Sequence, residues 1–238
     1  METPWHRFQM NLLIDSIETH WRGRKDFYSG GNMFLYFSRK YAKNTDFRGP
    51  DFFVVKDVDH DRDRQYWATW EEDGRFPNVI LELMSETTKA IDLGEKKDVY
   101  ERIFHTPEYF CYDPVDRSLH GWRLFNKKYA PIKMDKTGRL WSEELDIFLG
   151  PWTGKYLERQ NEWIRFFTKK GRLVKTDAET EAATVAREAA RADQESTRAN
   201  QESARANQAA ARANQAAAEI ARLKEELAQT RRRNGKHK

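Results

Sequence analysis

The chain has 238 residues, of which 39% are hydrophobic and 13% aromatic, with a formal charge of +4 and a pI near 9.0. That supplies a packed core for one or two domains, and the mild basic bias is compatible with nucleic acid without specifying it. A single cysteine, Cys111, excludes an internal disulfide and a cysteine-based zinc site, and its aromatic surroundings in EYFCYDP mark it as a small buried hydrophobe.

The start, METPWHRFQM, lacks the apolar centre of a signal peptide, and no later stretch reaches membrane-spanning length. A soluble, cytoplasmic protein is expected. Phe8, Leu12, Ile14, Ile17 and Trp21 recur at helical spacing and predict an opening helix over 8–22. SGGN (29–32) signals a turn, after which MFLYF reads as a strand. FFVV (52–55), NVILELM (78–84), EYFCYD (108–113) and LHGWRLF (119–125) read as further strands, with edge strands around 128–133 and 141–148. A helical pattern beginning near Thr87 or Thr88 lies between NVILELM and EYFCYD. Strand, helix, strand at these lengths predicts a parallel crossover in a mixed sheet.

In QYWATWEEDGRFP (65–77), Trp67 and Trp70 are expected to cover the sheet, and Asp73-Gly74 to form a turn. DVDHDRDR (57–64) fits no calcium loop and reads as a polar, mobile loop whose arginines are available to phosphate. The basic clusters KKGR (169–172) and RRRNGKHK (231–238) read as solvated charge. The six histidines form no HExxH pair, and neither a G-x-S-x-G elbow nor a P-loop occurs.

The last Trp is Trp163 and the last Phe is Phe167, so a globular domain is expected over 1–175. Residues 176–238 follow a different rule. RADQEST, RANQESA, RANQAAA and RANQAAA occupy 191–218 as four consecutive sevens. Val185, Ala192, Ala199, Ala206, Ala213, Ile220 and Leu227 share one register, the pattern of a long helix that seeks a partner along a seam. Alanine buries little, so a thin coiled coil, strongest near Ile220, Leu223 and Leu227, and a solitary charge-laced helix both satisfy the pattern.

The chemistry centres on VILELMSETT (79–88). Glu82 interrupts an apolar run, and by period two it shares a face with Ile80 and Met84 while Val79, Leu81 and Leu83 take the other. A buried carboxylate is costly unless it is compensated. An internal basic partner, an edge position facing solvent, and a bound cation are the three solutions. Upstream, Pro50-Asp51 sets an acid at a strand entrance. Downstream, in IDLGEKKDVYERIF (91–104), Leu93, Val99, Tyr100, Ile103 and Phe104 span one helical face. Lys96 falls inside that face and Lys97 on its flank. Lys96 can pair with Asp92 one turn away, or reach Glu82 and Asp51. Two acids and a lysine suit a divalent metal acting on a phosphodiester.

These strings, GPDFFVV (49–55), WEEDGRFPNVILELMSETT (70–88), DLGEKKDVYERIF (92–104) and TPEYFCYDP (106–114), resemble the Uma-type restriction endonuclease family of the PD-(D/E)xK nuclease superfamily; WIRFF (163–167) looks like its closing segment. The resemblance implies an α/β, restriction-endonuclease-like mixed β-sheet flanked by helices, here followed by a long C-terminal helix. It implies Asp51 and Glu82 as catalytic, metal-holding acids for Mg²⁺ (or Mn²⁺), Lys96 as the catalytic lysine, and DNA as partner and substrate. The superfamily's usual strand lysine would stand at Met84, so the lysine is carried to the following helix. An acid on the opening helix, Glu18, is a further candidate. The rival expectation is an inactive nuclease-like module that self-associates, or binds a partner, through residues 176–238; a third is a structural Glu82–Lys96 ion pair without chemistry.

Overall fold

The computed structural model describes residues 3–38 and 47–234, with side chains as far as residue 229. The chain divides into two compact units, Met1–Thr180 and Glu181–Lys238.

The first unit opens with helix α1 (Pro4–His20). Proline at the first helical position has no N–H to lose, and its φ suits a helix, so α1 begins four residues before the Phe8 where apolar periodicity starts. Its buried side chains include Leu12, Leu13 and Ile17. Gln9 is also fully buried; it donates to the Ile164 carbonyl at 2.8 Å and accepts from the Ile164 N–H at 2.7 Å. One amide thereby satisfies both backbone groups of a strand residue and pins α1 against it.

The strands are β1 (Phe27–Gly30), β2 (Leu35–Tyr36), β3 (Phe47–Arg48), β4 (Phe52–Lys56), β5 (Trp67–Ala68), β6 (Val79–Leu83), β7 (Glu108–Asp113), β8 (Ser118–Phe125), β9 (Lys128–Pro131), β10 (Leu140–Ser142), β11 (Ile147–Tyr156) and β12 (Arg159–Phe167). The main sheet runs β1-β4-β6-β7-β8-β9. Only β6 and β7 pair in parallel, with Glu82 opposite Cys111; every other pair in that sheet is antiparallel. The crossover predicted between them is present. MFLYF contributes only the two residues of β2, in a small β3-β2-β5 sheet. Residues 141–148 do not extend the main sheet; they contribute to β10 and β11 of a separate antiparallel β10-β11-β12 sheet.

Both faces of the main sheet are covered, which is why its central strands read as unbroken apolar runs. Val79, Leu81 and Leu83 face a core with Leu13 and Ile17 of α1 and with Ile147, Ile164 and Phe166. Ile80 and Met84 face the other core, with Phe53, Trp67, Tyr100 and Cys111. The alternation predicted for β6 holds, and Glu82 lies on the second face. Cys111 is fully buried.

The crossover is not one regular helix. It consists of α2 (Lys89–Ile91), a π-helical turn (Asp92–Lys96) and α3 (Lys97–Arg102). The π turn changes the angular phase, and α3 stops before Ile103. Tyr100 and Phe104 are therefore buried, whereas Ile103 is exposed, against the single apolar face the periodicity predicts.

The 57–64 loop also differs from expectation. Arg64 is buried and meets Glu72 in a bidentate pair at 2.9 and 3.0 Å, with its guanidinium over the Tyr28 and Trp67 rings. Arg62 reaches the same carboxylate at 3.2 Å. These arginines hold the loop onto the small sheet rather than awaiting phosphate. Asp73 and Gly74 adopt positive φ, 51° and 76°, in the expected turn.

The second unit is the bulk of α4 (Asp177–Asn234). The helix starts within the first unit, where Thr176 and Glu179 form a reciprocal cap: the Glu179 N–H donates to Thr176 Oγ1 at 3.2 Å and the Thr176 N–H to Glu179 Oε2 at 2.9 Å. Glu179 also receives the buried Arg165 at 2.7 Å. Beyond Thr180, Val185, Ile220, Leu223 and Leu227 are exposed, and Arg191–Glu195 and Arg222–Glu226 pair one turn apart. No described helix is long and apolar enough to cross a membrane.

Buried Glu108 joins the main sheet to the β10 region. It accepts from Arg123 at 2.8 Å, from the Glu143 N–H at 2.9 Å, and from the Ser142 hydroxyl. Removing it orphans several donors at once. Glu108→Ala is expected to cost about 3 kcal/mol, read as a lowered urea midpoint, with Cys111 becoming accessible to a thiol reagent at a lower urea concentration than in the parent.

Candidate active site

β6 and β4 lie side by side, with Phe52 opposite Leu81, so Asp51 at the head of β4 faces the last residues of β6. Asp51 Oδ2 accepts from the Leu83 N–H at 2.7 Å. Its position depends on glycine at 31: a Cβ there would overlap the Asp51 carbonyl oxygen and Met10. The adjoining Asn32 N–H donates to the Pro50 carbonyl at 2.9 Å. The expected SGGN turn is only partly a turn: Ser29 and Gly30 end β1, and Gly31 serves close backbone approach at the first acid.

Glu82 is fully buried. Its Oε1 accepts from the Tyr100 hydroxyl at 2.8 Å, and Lys96 Nζ lies 2.9 Å from its Oε2. The same ammonium lies 2.8 Å from Asp92 Oδ1, and Asp92 is buried as well. Neither Glu82 Oε2 nor Asp92 Oδ1 makes a hydrogen bond of regular geometry among the described residues; Lys96 meets them as a charge, off the ideal line. Asp51 and Glu82 are close enough for their carboxyl groups to interact directly. A cleft of about 160 Å³ gives access, lined by His6, Asn32, Asp51, Thr88, Asp92 and Lys96 among others.

The electrostatics follow from burial. Desolvation pushes the Glu82 carboxyl up to about 8, with Lys96 opposing the shift and the Asp51 and Asp92 charges adding to it. Asp51 keeps some exposure in the cleft but is enclosed enough to be pushed up to about 6 by burial, against the Leu83 N–H and Lys96. Burial would lower Lys96, but Glu82 and Asp92 more than offset it, so its ammonium is held charged. Fully ionised, three carboxylates face one ammonium, leaving two negative charges in surplus.

Asp51, Glu82 and Lys96 therefore come together. Lys97 does not join them; its Nζ sits over the Trp122 ring at 4.3 Å. Glu18 does not line the cleft: it accepts from Ser29 at 2.6 Å and lies 3.6 Å from His60. Asp92 and Tyr100 are additional members. Both were visible at i and i+8 around Lys96, one read as a surface partner and the other as core. His6 carried no such signal; it lines the cleft through the fold of α1.

The donors offered to a cation are all carboxylate oxygens, two of them buried without a regular hydrogen bond, which suits a hard divalent ion such as Mg²⁺ or Mn²⁺. Among the described residues no group of three or more His, Cys, Asp or Glu side chains forms a ready metal cage; Lys96 stands between Glu82 and Asp92.

The family described as "Putative restriction endonuclease", Uma2, matches residues 1–152. The match stops before WIRFF, which the resemblance had taken for a closing segment. Among solved structures, the chain is similar to a "putative nuclease" from Anabaena variabilis, at 12% identity and a TM-score of 0.41, over 61% of this chain and 75% of that one. No curated protein matches the chain.

Because Glu82 and Asp51 have raised pKa values, the cation-free folded state holds protons that the unfolded state releases. Stability from these groups is present below their ordinary values near 4 and is lost as pH rises through about 6 for Asp51 and about 8 for Glu82. In EDTA, the melting temperature is expected to fall between pH 5 and 8.5 more steeply in the parent than in Glu82→Gln. Equal slopes would show that Glu82 does not titrate in that window.

Proposed function

The chain belongs to the Uma2 family, and on that premise we propose that it is a metal-dependent endonuclease that hydrolyses DNA phosphodiester bonds. The observation that carries this reading is the contact of Lys96 Nζ with the fully buried Glu82, 2.9 Å away, at the edge of a cleft lined by Lys96, Asp51 and Asp92. Asp51 and Glu82 would hold Mg²⁺ or Mn²⁺. When bound, such an ion lowers the pKa of its water and offsets charge on the phosphoryl group.

The residues of this chain do the rest. Asp51 is oriented by the Leu83 N–H, and Glu82 by the Tyr100 hydroxyl, so both acids are set before substrate arrives. Lys96, kept charged by Glu82 and Asp92, orients the attacking water or neutralises the pentacovalent phosphate. Asp92 is a positioning residue: it anchors the Lys96 ammonium. Met84 holds the place of the usual strand lysine and is fully buried, so the helix supplies the only ammonium found in the described cleft. Basic side chains elsewhere add salt-sensitive affinity without sequence preference.

Residues 176–238 are read as a self-association element that pairs two copies. Val185, Ile220, Leu223 and Leu227 stand exposed on a helix with heptad spacing.

With plasmid DNA, the parent is expected to cut in Mg²⁺ or Mn²⁺ and not in EDTA. Glu82→Ala and Lys96→Met should each lower the rate at least 100-fold while far-UV circular dichroism is unchanged. Cutting retained in Glu82→Ala, or absent from the parent with both metals on plasmid and on single-stranded DNA alike, would overturn the reading. In sedimentation velocity, the double substitution Ile220→Asp, Leu227→Asp should lower the mass to that of one chain; a parent already of that mass would dismiss self-association.

A further inference from the structure

A second pocket, of about 400 Å³, opens beside the acid cleft and shares His6 and Ser85 with it. Its other walls include Trp5, Met84, Pro114 and Val115. Val115 is 81% exposed, so its side chain is accessible at the pocket's rim. Trp5 is braced from within: it is stacked on Trp163 at 6.1 Å with planes 7° apart, and tilted on Tyr112 at 6.0 Å. Its Nε1–H donates to the Glu162 carbonyl at 3.4 Å. The aromatic wall is therefore fixed in place before any ligand arrives.

The charges around this pocket argue against a phosphate. Glu86 and Glu162 both line it, and its one guanidinium, Arg117, lies 3.7 Å from Glu162. What fits is the flat, uncharged part of a nucleotide, between an indole, a proline and an aliphatic side chain, with polar groups at the rim. His6 stands on the wall between the two cavities. The Thr3 N–H donates to its Nδ1 at 3.3 Å, so in the neutral ring the proton is on Nε2, 3.4 Å from the Met84 carbonyl. Both ring nitrogens are thus engaged by the protein, which fixes the imidazole as a wall between the acid cleft and the pocket.

We propose that this pocket receives the nucleobase next to the phosphodiester held in the acid cleft, and that the preferred substrate is DNA unpaired at the cut. The proposal rests on the nuclease reading above. A base inside a duplex is stacked and paired, and must be extruded to enter a side pocket. A base in a single strand, or at a mismatch or branch, is already free to stack on an aromatic wall.

The test uses the full chain with Ca²⁺ in place of Mg²⁺ at one fixed ionic strength. Anisotropy of a fluorescein-labelled oligothymidylate is compared with that of its duplex with oligoadenylate. The parent is expected to bind the single strand at least tenfold more tightly. Val115→Glu should remove that preference, and Phe125→Glu, the same charge change at the last residue of β8, away from the pocket, should keep it. Equal affinity for both DNAs, or indistinguishable behaviour of the two variants, overturns the proposal. Because binding is read without cleavage, a preference that is lost in Val115→Glu supports the pocket even if no cutting occurs with Mg²⁺, which would overturn hydrolysis alone. If cutting occurs at equal rates on both DNAs, the nuclease reading stands and the pocket assignment falls.

Discussion

The arrangement depends on the burial of charge around Lys96. One ammonium contacts two buried carboxylates, Glu82 and Asp92, at 2.9 and 2.8 Å. Burying an ion pair does not by itself stabilise a fold, because desolvation offsets most of the attraction. Here the offset is incomplete, since Asp51 adds a third carboxyl to the same cleft. The raised pKa values of Glu82 and Asp51 follow mainly from burial, with the charge of Asp92 adding to both and that of Asp51 adding at Glu82. A site that gathers three carboxyl groups around one ammonium carries a charge imbalance that a bound cation would offset, which is the ground of the metal-dependent reading proposed above.

The fold makes this arrangement possible by treating the two faces of one sheet differently. The face with Val79, Leu81 and Leu83 is closed by α1 and the β10-β11-β12 sheet. The face with Glu82 is closed by the crossover between β6 and β7, the parallel pair of the main sheet. Ligands of α/β folds gather at the carboxyl ends of such strands, and Glu82 is one residue from the end of β6. The π-helical turn Asp92–Lys96 follows, and turns of that kind are frequent at functional sites. It places Asp92 and Lys96 above Glu82, while Tyr100 in the next segment reaches the same carboxylate from the side.

The Uma2 match covers 1–152 and none of the repeat helix. The start of α4, as far as Thr180, lies within the first unit, where its cap residue Glu179 also pairs with Arg165, whose side chain is fully buried in β12.

How much was legible in the residues alone follows a physical division. Short-range periodicity set the strands β4, β6, β7 and β8, the parallel crossover, the two faces of β6 and the break in composition near residue 175. It also singled out Lys96 over Lys97, because an inward lysine stands out against apolar neighbours at helical spacing. What depends on contacts between distant segments was not legible. Arg64 looked like a loop charge, and only folding brings Glu72 to it. Gly31 looked like a turn, and only folding brings Asp51 beneath it. The π turn, which leaves Ile103 in solvent, has no period of its own to read. His6 lines the cleft, and Tyr100, read only as core, donates to Glu82, because α1 and α3 converge on the end of one strand, and the sequence carries no term for that convergence. Residue pattern decides which side chains are buried; which buried charges then meet is decided by the tertiary packing that brings β4, β6 and the crossover together.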